Sequence, residues 1–530
     1  MQRRRLLSLW TQTAAWTAWH QLFSTPARAQ GPEDAGWRST APLFTLGVAS
    51  GEPQPDSVVL WTRLAPRPMA RDGGMPPKAV EVRWEIAEDE GFAAVARSGV
   101  TVAGPDGAHS VHVEVTDLAP GRAYHYRFLA GGQVSPVGRT RTAPAHQDEP
   151  PRLRIAAASC QHYETGTFDV HREIARADVD LVIFLGDYIY ETEVRPYQRV
   201  RRHPHVMSDF TLDDYRLHHA SYKLDADLQA AHAAHPWLMV WDDHELLNDY
   251  AGDYAPEVPD RNEFLRMRTQ AFRAYFEHLP ISPRRAPVGS HMPMQARYRW
   301  GLLAEIWTLD GRQYRDRPVC QGLHAYKQGK LLWNCEDVKT PARTLLGTEQ
   351  EAWLAQGLAS SMCDWKIIAQ PTQVSPASVK TPLGALVYGD GWDAFPAARD
   401  RLMEAIAQPR VQDVVFLSGD VHRHVAANLR MRPADAASPL IASEFAVGSV
   451  TSPGMSELLT GWMKSVQPDL LHARSEERGY ALIEVTPGQL SCDFRATPHP
   501  VRPGARLHTQ ARYVVQRGVP GPRKAVAPRE

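Results

Sequence analysis

The chain has no charge bias, no long apolar run beyond residue 30 and very little cysteine. Lys and Arg number 59 against 60 Asp and Glu, so no overall field directs the protein to nucleic acid or to an anionic membrane surface. No stretch past residue 30 is long and apolar enough to span a bilayer. Internal repeats are absent. General disorder is excluded by a hydrophobic content of 43%, and a length of 530 residues leads us to expect two domains. The five cysteines, an odd number, leave at least one unpaired if the chain is exported.

Export is what the first 29 residues suggest. Arg3-Arg4-Arg5-Leu6-Leu7 is a basic start, Leu9 to Phe23 is mildly apolar, and Ala27-Arg28-Ala29 is a small-x-small cleavage site before Gln30. Paired arginines followed by two leucines resemble a twin-arginine signal, and the modest apolar segment and Arg28 fit that route better than the general secretory one, which stays the alternative. The twin-arginine translocation machinery would then be a transient partner, a cofactor would be inserted before export, and the location would be periplasmic or secreted. Cys320 and Cys335, 15 apart in a loop-like stretch, are expected to pair. Cys363 and Cys492 read as buried free thiols, which leaves Cys160.

Residues 43–145 read as all-β. Ser57 to Thr62 and Val82 to Ile86 are β-rich, while Val111 to Val115 and Tyr124 to Phe128 alternate with period two. The pattern predicts a sandwich of the fibronectin III kind, followed by a Pro-rich polar linker from Ala143 to Arg152. From Leu153 strands alternate with helical patterns, such as Leu212 to Ala234 and a segment that starts like a capped helix at Thr348. We therefore expect an α/β layered domain over 153–510, with Ala481 to Val485 closing a second sheet. Residues 511–530, basic and rich in Pro and Gly, are expected to form a flexible tail.

Three short apolar runs carry the chemistry. Asp180 to Leu185 ends in Gly186-Asp187-Tyr188-Ile189-Tyr190-Glu191, Trp237 to Val240 leads to Trp241-Asp242-Asp243-His244-Glu245, and Val414 to Leu417 leads to Ser418-Gly419-Asp420-Val421-His422. Each run delivers an acid, or an acid and a histidine, to the C-terminal end of a buried strand, where α/β folds keep their sites. A fourth strand, Leu153 to Ser159, ends in Cys160. Asp187 suits an aspartate that bridges two ions, and Tyr190 is near enough in sequence to turn back onto one of them. Thiolate and phenolate favour a high-charge or soft transition metal over magnesium, and carboxylates at Asp243 and Asp420 suit a harder ion such as calcium. His232 and His235 have helical ligand spacing but read as a solvated helix face. Asn248 stands where a zinc-protease motif would need its second histidine. His203, His205, His218 and His219 are unassigned, and Asp242 either orients His244 or caps a turn.

Together these runs resemble the alkaline phosphatase D family, a branch of the calcineurin-like metallophosphatases. Phe44 to Pro53, Leu60 to Arg63, Ser159-Cys160-Gln161, Asp390-Gly391-Trp392-Asp393, Arg399-Asp400-Arg401 and Arg478-Gly479-Tyr480 extend the likeness over nearly the whole chain. The resemblance implies a metallophosphatase domain with a two-sheet core flanked by helices. It implies Fe(III) on Cys160, Asp187, Tyr190 and His422, and Ca(II) on Asp187, Asp243 and Asp420. The chain has Asn248-Asp249 where the family pattern has Asn-Asn, and Asp310-Gly311-Arg312 where it has Asp-Thr-Arg. The first departure, at Asp249, leaves the calcium count open at one or two, with Asn248 a further candidate metal ligand. The implied reaction is hydrolysis of phosphate mono- and diesters by metal-activated water, with His244 protonating the leaving alkoxide and Arg312 clamping a phosphate oxygen. A phospholipase D-like diesterase that needs an apolar rim, a non-phosphate esterase, and a binding protein with a vestigial site remain alternatives. A monomer is the expected state.

Overall fold

The computed structural model describes residues 37–320, 325–326, 330–381, 384–433 and 435–526. The expected export signal lies outside the described residues.

Two sheets lie face to face at the centre of the protein. The ten-stranded sheet runs Val519–Ala525, His508–Gln516, Gln489–Pro498, Glu477–Val485, Leu153–Ala158, Leu181–Leu185, Pro236–Val240, Val48–Gly51, Val58–Arg63, Ser110–Val115. In the seven-stranded sheet the order is Ala296–Trp300, Ala304–Thr308, Trp365–Ala369, Val414–Ser418, Leu440–Ala446, His424–Arg430, Leu470–Arg474. The middle of each sheet is parallel, so several strands in each end on the same side.

Strand alternation distributes the apolar runs between two layers. Ile183 and Leu185 meet Ile367, Val415 and Leu417 in the core between the sheets. Val182 and Phe184 point the other way, toward Ile174, Tyr215 and Leu228 from the helices Asp169–Arg176, Leu212–Lys223 and Ala226–Ala234, and toward Phe168 at the start of the first. The outer face of the second sheet is covered by Leu354, Leu358, Leu402 and Met403 from the helices Thr348–Ser360 and Pro396–Ile406. Burial on both faces explains why these strands are uninterrupted apolar runs.

The N-terminal β region packs two layers of its own around Val58, Leu60, Val82, Ile86, Tyr126 and Phe128. It is nonetheless joined to the rest of the chain. Val48–Gly51 pairs in parallel with Pro236–Val240, so three N-terminal strands continue the ten-stranded sheet across the Pro-rich linker. A Cβ on Gly51 would lie 2.3 Å from the Pro280 carbonyl oxygen, which is why the seam takes glycine. Trp61 Nε1 donates to the Glu277 carbonyl (3.0 Å) across the same seam.

Three other expectations are corrected. Residues 511–530 are not a loose tail as far as they are described: His508–Gln516 and Val519–Ala525 form a hairpin at the sheet edge, burying Ala511, Tyr513 and Val515. Pro520 and Pro522 are tolerated because the last strand is an edge strand. His232 and His235 are buried, not solvated: His232 accepts or donates at Tyr188 Oη (2.8 Å) and stacks on Trp237, and His235 donates to the Ile174 carbonyl (2.9 Å). Thr348 begins its helix but does not cap it, since the N-cap is Gly347, held at φ 77°. Cys320 and Cys335 form the expected disulfide, while Cys363 and Cys492 are buried and free.

Burial of so many imidazoles has a consequence for stability. Burial lowers His171 and His219 to about 3, and His203 and His235 to about 4. The unfolded chain therefore binds protons that the folded chain refuses, and stability is lost as pH falls from about 6.5 toward 4, at up to about 1.4 kcal/mol per pH unit for each histidine. We expect the melting midpoint, at constant ionic strength, to fall steadily through this window. A midpoint that stays flat down to pH 4.5 and drops only where carboxylates titrate would contradict this account.

Candidate metal centre

The site lies where the strand ends of the two sheets meet. Cys160 follows Leu153–Ala158, Asp187 follows Leu181–Leu185, Asp243 follows Pro236–Val240, and Asp420 and His422 follow Val414–Ser418. Two glycines set the approach. A Cβ on Gly186 would lie 2.7 Å from the Asp242 Cβ, and one on Gly419 would lie 2.7 Å from the Leu185 carbonyl oxygen and 3.0 Å from that of Pro371. The second contact joins the two sheets backbone to backbone.

The chain turns sharply here. Cys160, Asp187, Asp420 and His422 have φ of 58°, 58°, 62° and 49°, the left-handed region that non-glycine residues rarely enter. The bends are held by hydrogen bonds: Cys160 N–H donates to the Gly186 carbonyl and Gln161 N–H to the Asp187 carbonyl, each at 3.1 Å. Glu245 ties two strand ends together, accepting from Tyr188 N–H (2.6 Å) and Asp242 N–H (2.8 Å).

Ligand-type atoms gather in three adjoining groups, within 4.8 Å inside each: Cys160, Asp187 and His422; Asp187, Asp243 and His244; Asp243, Asp249 and Asp390. Asp187 belongs to the first two. Its Oδ2 accepts from Tyr190 Oη (2.7 Å), which also lies 3.1 Å from His422 Nε2. Its Oδ1 is buried with no hydrogen-bond partner. Burial, with neighbouring acids adding to it, pushes Cys160 and Tyr190 well above their usual ranges and Asp187 likewise. Acids so crowded and so dry ionise together only beside positive charge, which fits a metal centre.

Asp420 is in none of these groups; its Oδ2 accepts from Thr372 Oγ1 (3.0 Å), and it lines the same cavity of about 300 Å³ as Asp187, Asp243, His244 and His422. His244 Nδ1 is 2.7 Å from Glu191 Oε2. Burial opposes the imidazolium, but Glu191, Asp243 and Asp187 outweigh it and hold His244 protonated well above the usual range.

Residues 155–494 match the PhoD-like phosphatase model, and residues 29–144 match the PhoD-like phosphatase N-terminal domain. The chain belongs to the PhoD-like phosphatase family. It is a phosphoric ester hydrolase. It is 41% identical over 487 residues to alkaline phosphatase D of Bacillus subtilis (strain 168), a match covering 91% of this chain and 82% of that protein. A solved structure of PhoD superposes with a TM-score of 0.88 at 39% identity, covering 93% of this chain and 94% of that one.

Sequence reasoning placed most of the strand-end residues but misjudged Arg312. Arg312 is fully buried, and its guanidinium is committed: Nη1 and Nη2 donate to Asp390 (2.8 and 2.6 Å) and Nε donates to Asp242 Oδ1 (2.5 Å). It braces the metal centre from beneath and is not available to clamp a phosphate. Asp242 accordingly serves Arg312, neither orienting His244 nor capping a turn; Glu191 is the residue on His244. Asn248 turns its side-chain oxygen to Lys330 Nζ (3.2 Å), and Asp249, which also meets Lys330 (3.2 Å), joins the acidic group instead. Glu191 and Asp390 stood within motifs already singled out, but nothing local in the sequence marks their partners. Replacing Arg312 with Met strands the buried Asp242 and takes one of two arginines from Asp390, so it should cost about 3–5 kcal/mol of stability and visibly lower the melting midpoint. An Arg312→Met variant that melts like the parent while KM rises would restore the clamp role.

Proposed function

We propose that the protein is an exported alkaline phosphatase and phosphodiesterase acting through an iron–calcium centre. Cys160, Asp187, Tyr190 and His422 would hold Fe(III), since thiolate and phenolate together suit a transition ion of high charge. Asp187, Asp243 and Asp420 would hold calcium through oxygen. The observation that carries this reading is the shared Asp187, whose Oδ2 meets Tyr190 and whose buried Oδ1 has no partner. With Cys160 and Tyr190 ionised, the donors carry about five negative charges, matched by one Fe(III) and one calcium.

A single calcium is favoured over two. In the third acidic group both oxygens of Asp390 are taken by Arg312 and Arg315, and Lys330 lies on Asp249 and Asn248. Three protein cations thus already contact the acids where a second ion would go.

The bound ions would polarise the phosphoryl oxygens and lower the pKa of the attacking water. His244 supplies the proton. Its Nδ1 is engaged by Glu191, so Nε2 is the nitrogen free to protonate the ester oxygen as the phosphorus–oxygen bond breaks. We further read the N-terminal β layers as a fibronectin III-like sandwich and the N-terminal arginine pair as a twin-arginine address. Among the described residues no helix is long and apolar enough to cross a membrane.

Elemental analysis of the purified protein should give one iron and one calcium per chain. Asp187→Asn should reduce both. Hydrolysis of aryl phosphate mono- and diesters should fall at least about a hundredfold on calcium chelation and return with calcium. Turnover indifferent to chelation, or full iron and calcium retention in Asp187→Asn, would overturn the shared-ligand assignment.

A further inference from the structure

The catalytic cavity has a second, apolar part to its lining. Met455, Leu459, Trp462 and Met463 contribute to it, with Leu386 and Tyr388. Four of these come from the helix Glu457–Val466 and the residue pair before it.

In that helix Leu459, Trp462, Met463 and Val466 recur at the spacing of one face. Such a stripe on a surface helix normally covers core. Here only Met463 is buried, while Leu459 is 46% and Trp462 43% exposed. The helix is fixed in place from its other side. Glu457 accepts from Ser475 N–H (2.8 Å) and pairs with Arg474 (2.9 Å), and the buried Thr460 bonds the Ser456 carbonyl (3.1 Å) and Ser475 Oγ (3.2 Å). The stripe therefore cannot roll inward to hide itself. A half-exposed Trp–Leu pair held at the mouth of a catalytic cavity is a surface that needs an apolar partner.

The partner is reached by continuity with the metal centre. His422 Nδ1 donates to the Pro453 carbonyl (2.8 Å), and a Cβ on Gly454 would lie 2.5 Å from the His422 carbonyl oxygen. The loop that packs against His422, which follows the strand Leu440–Ala446, thus delivers Met455 and the helix to the same cavity. We infer that this helix selects the substrate: a phosphate diester with one apolar arm, alkyl or aryl, laid along Met455, Leu459 and Trp462 while the phosphoryl group faces Asp187 and His244. The apolar arm only binds. Water adds to phosphorus, the bond to the other ester oxygen breaks, and that oxygen leaves with a proton. The inference rests on the phosphoesterase reading of the same site.

The test uses 4-nitrophenyl alkyl phosphate diesters with methyl, butyl and octyl arms, kept below their micellar concentrations, on the full metal-loaded protein. Nitrophenolate release gives kcat/KM. From methyl to octyl it should rise at least about tenfold, since each buried methylene favours binding. In the double variant Leu459→Ser, Trp462→Ser the octyl-to-methyl ratio should fall close to one. In Leu458→Ser, at a neighbouring exposed position that does not line the cavity, the ratio should be kept. Octylphosphonate should inhibit the parent more strongly than methylphosphonate, by a similar factor, which serves if the double variant fails to fold. Methyl ester turnover with a flat ratio in the parent, or a ratio unchanged in a folded double variant, overturns this inference alone. No turnover of any of the diesters by metal-loaded parent overturns the phosphoesterase reading beneath it.

Discussion

The burial of acids at the seam between two sheets governs the rest of this structure. Gly419 lets the end of Val414–Ser418 touch the Leu185 carbonyl, and Gly186 lets its own strand end touch Asp242. With a side chain at either position the strand ends would separate by at least the reach of a methyl group. As built, Asp187 and Cys160 are almost wholly removed from water. An isolated carboxylate in such surroundings would stay protonated, and several together repel one another. The backbone approach thus creates a demand for positive charge, and the donor set defines what kind of charge can meet it.

Below that centre the protein meets part of the demand itself. Arg312 and Arg315 converge on Asp390, and Arg312 reaches on to Asp242. Buried pairs of this kind contribute little net stability against apolar replacements, but breaking one partner is costly. Their value here is positional. Asp242 precedes Asp243 on the same bend, so the guanidinium that holds Asp242 also limits where Asp243 can go. Glu245 repeats the arrangement with backbone donors, joining the bend at Tyr188 to the one at Asp242.

What was legible in the sequence was local, and what was not was long-range. A buried parallel strand followed by Gly-Asp announces itself, because apolar continuity and the terminal acid are contiguous. Arg312 does not: its partners Asp242 and Asp390 are 70 and 78 residues away, and a guanidinium spent on buried carboxylates looks the same in sequence as one facing a phosphate. The pairing of Ser50 with Pro236 is likewise invisible, so a real linker composition reads as a boundary between two domains although one sheet spans it. His232 and His235 were misread because helical spacing says which residues share a face but not whether a second layer covers it. The C-terminal hairpin was misread because Pro and Gly weaken a central strand but suit an edge.

His422 joins the metal centre to the substrate wall. Its Nδ1 is engaged by the Pro453 carbonyl, which leaves Nε2 turned toward Tyr190 Oη and the thiol–carboxylate group. A histidine ligand is oriented by the hydrogen bond its other nitrogen makes. Here that bond is supplied by the loop that carries Met455 and leads into the apolar helix, while Arg478 donates to the His422 carbonyl (3.3 Å) and the Ser475 carbonyl (3.0 Å) on either side. The same few backbone groups therefore set the angle of the His422 imidazole and the position of the apolar helix beside the cavity. The two share one support, so a displacement of the helix would also move the carbonyl that orients the imidazole.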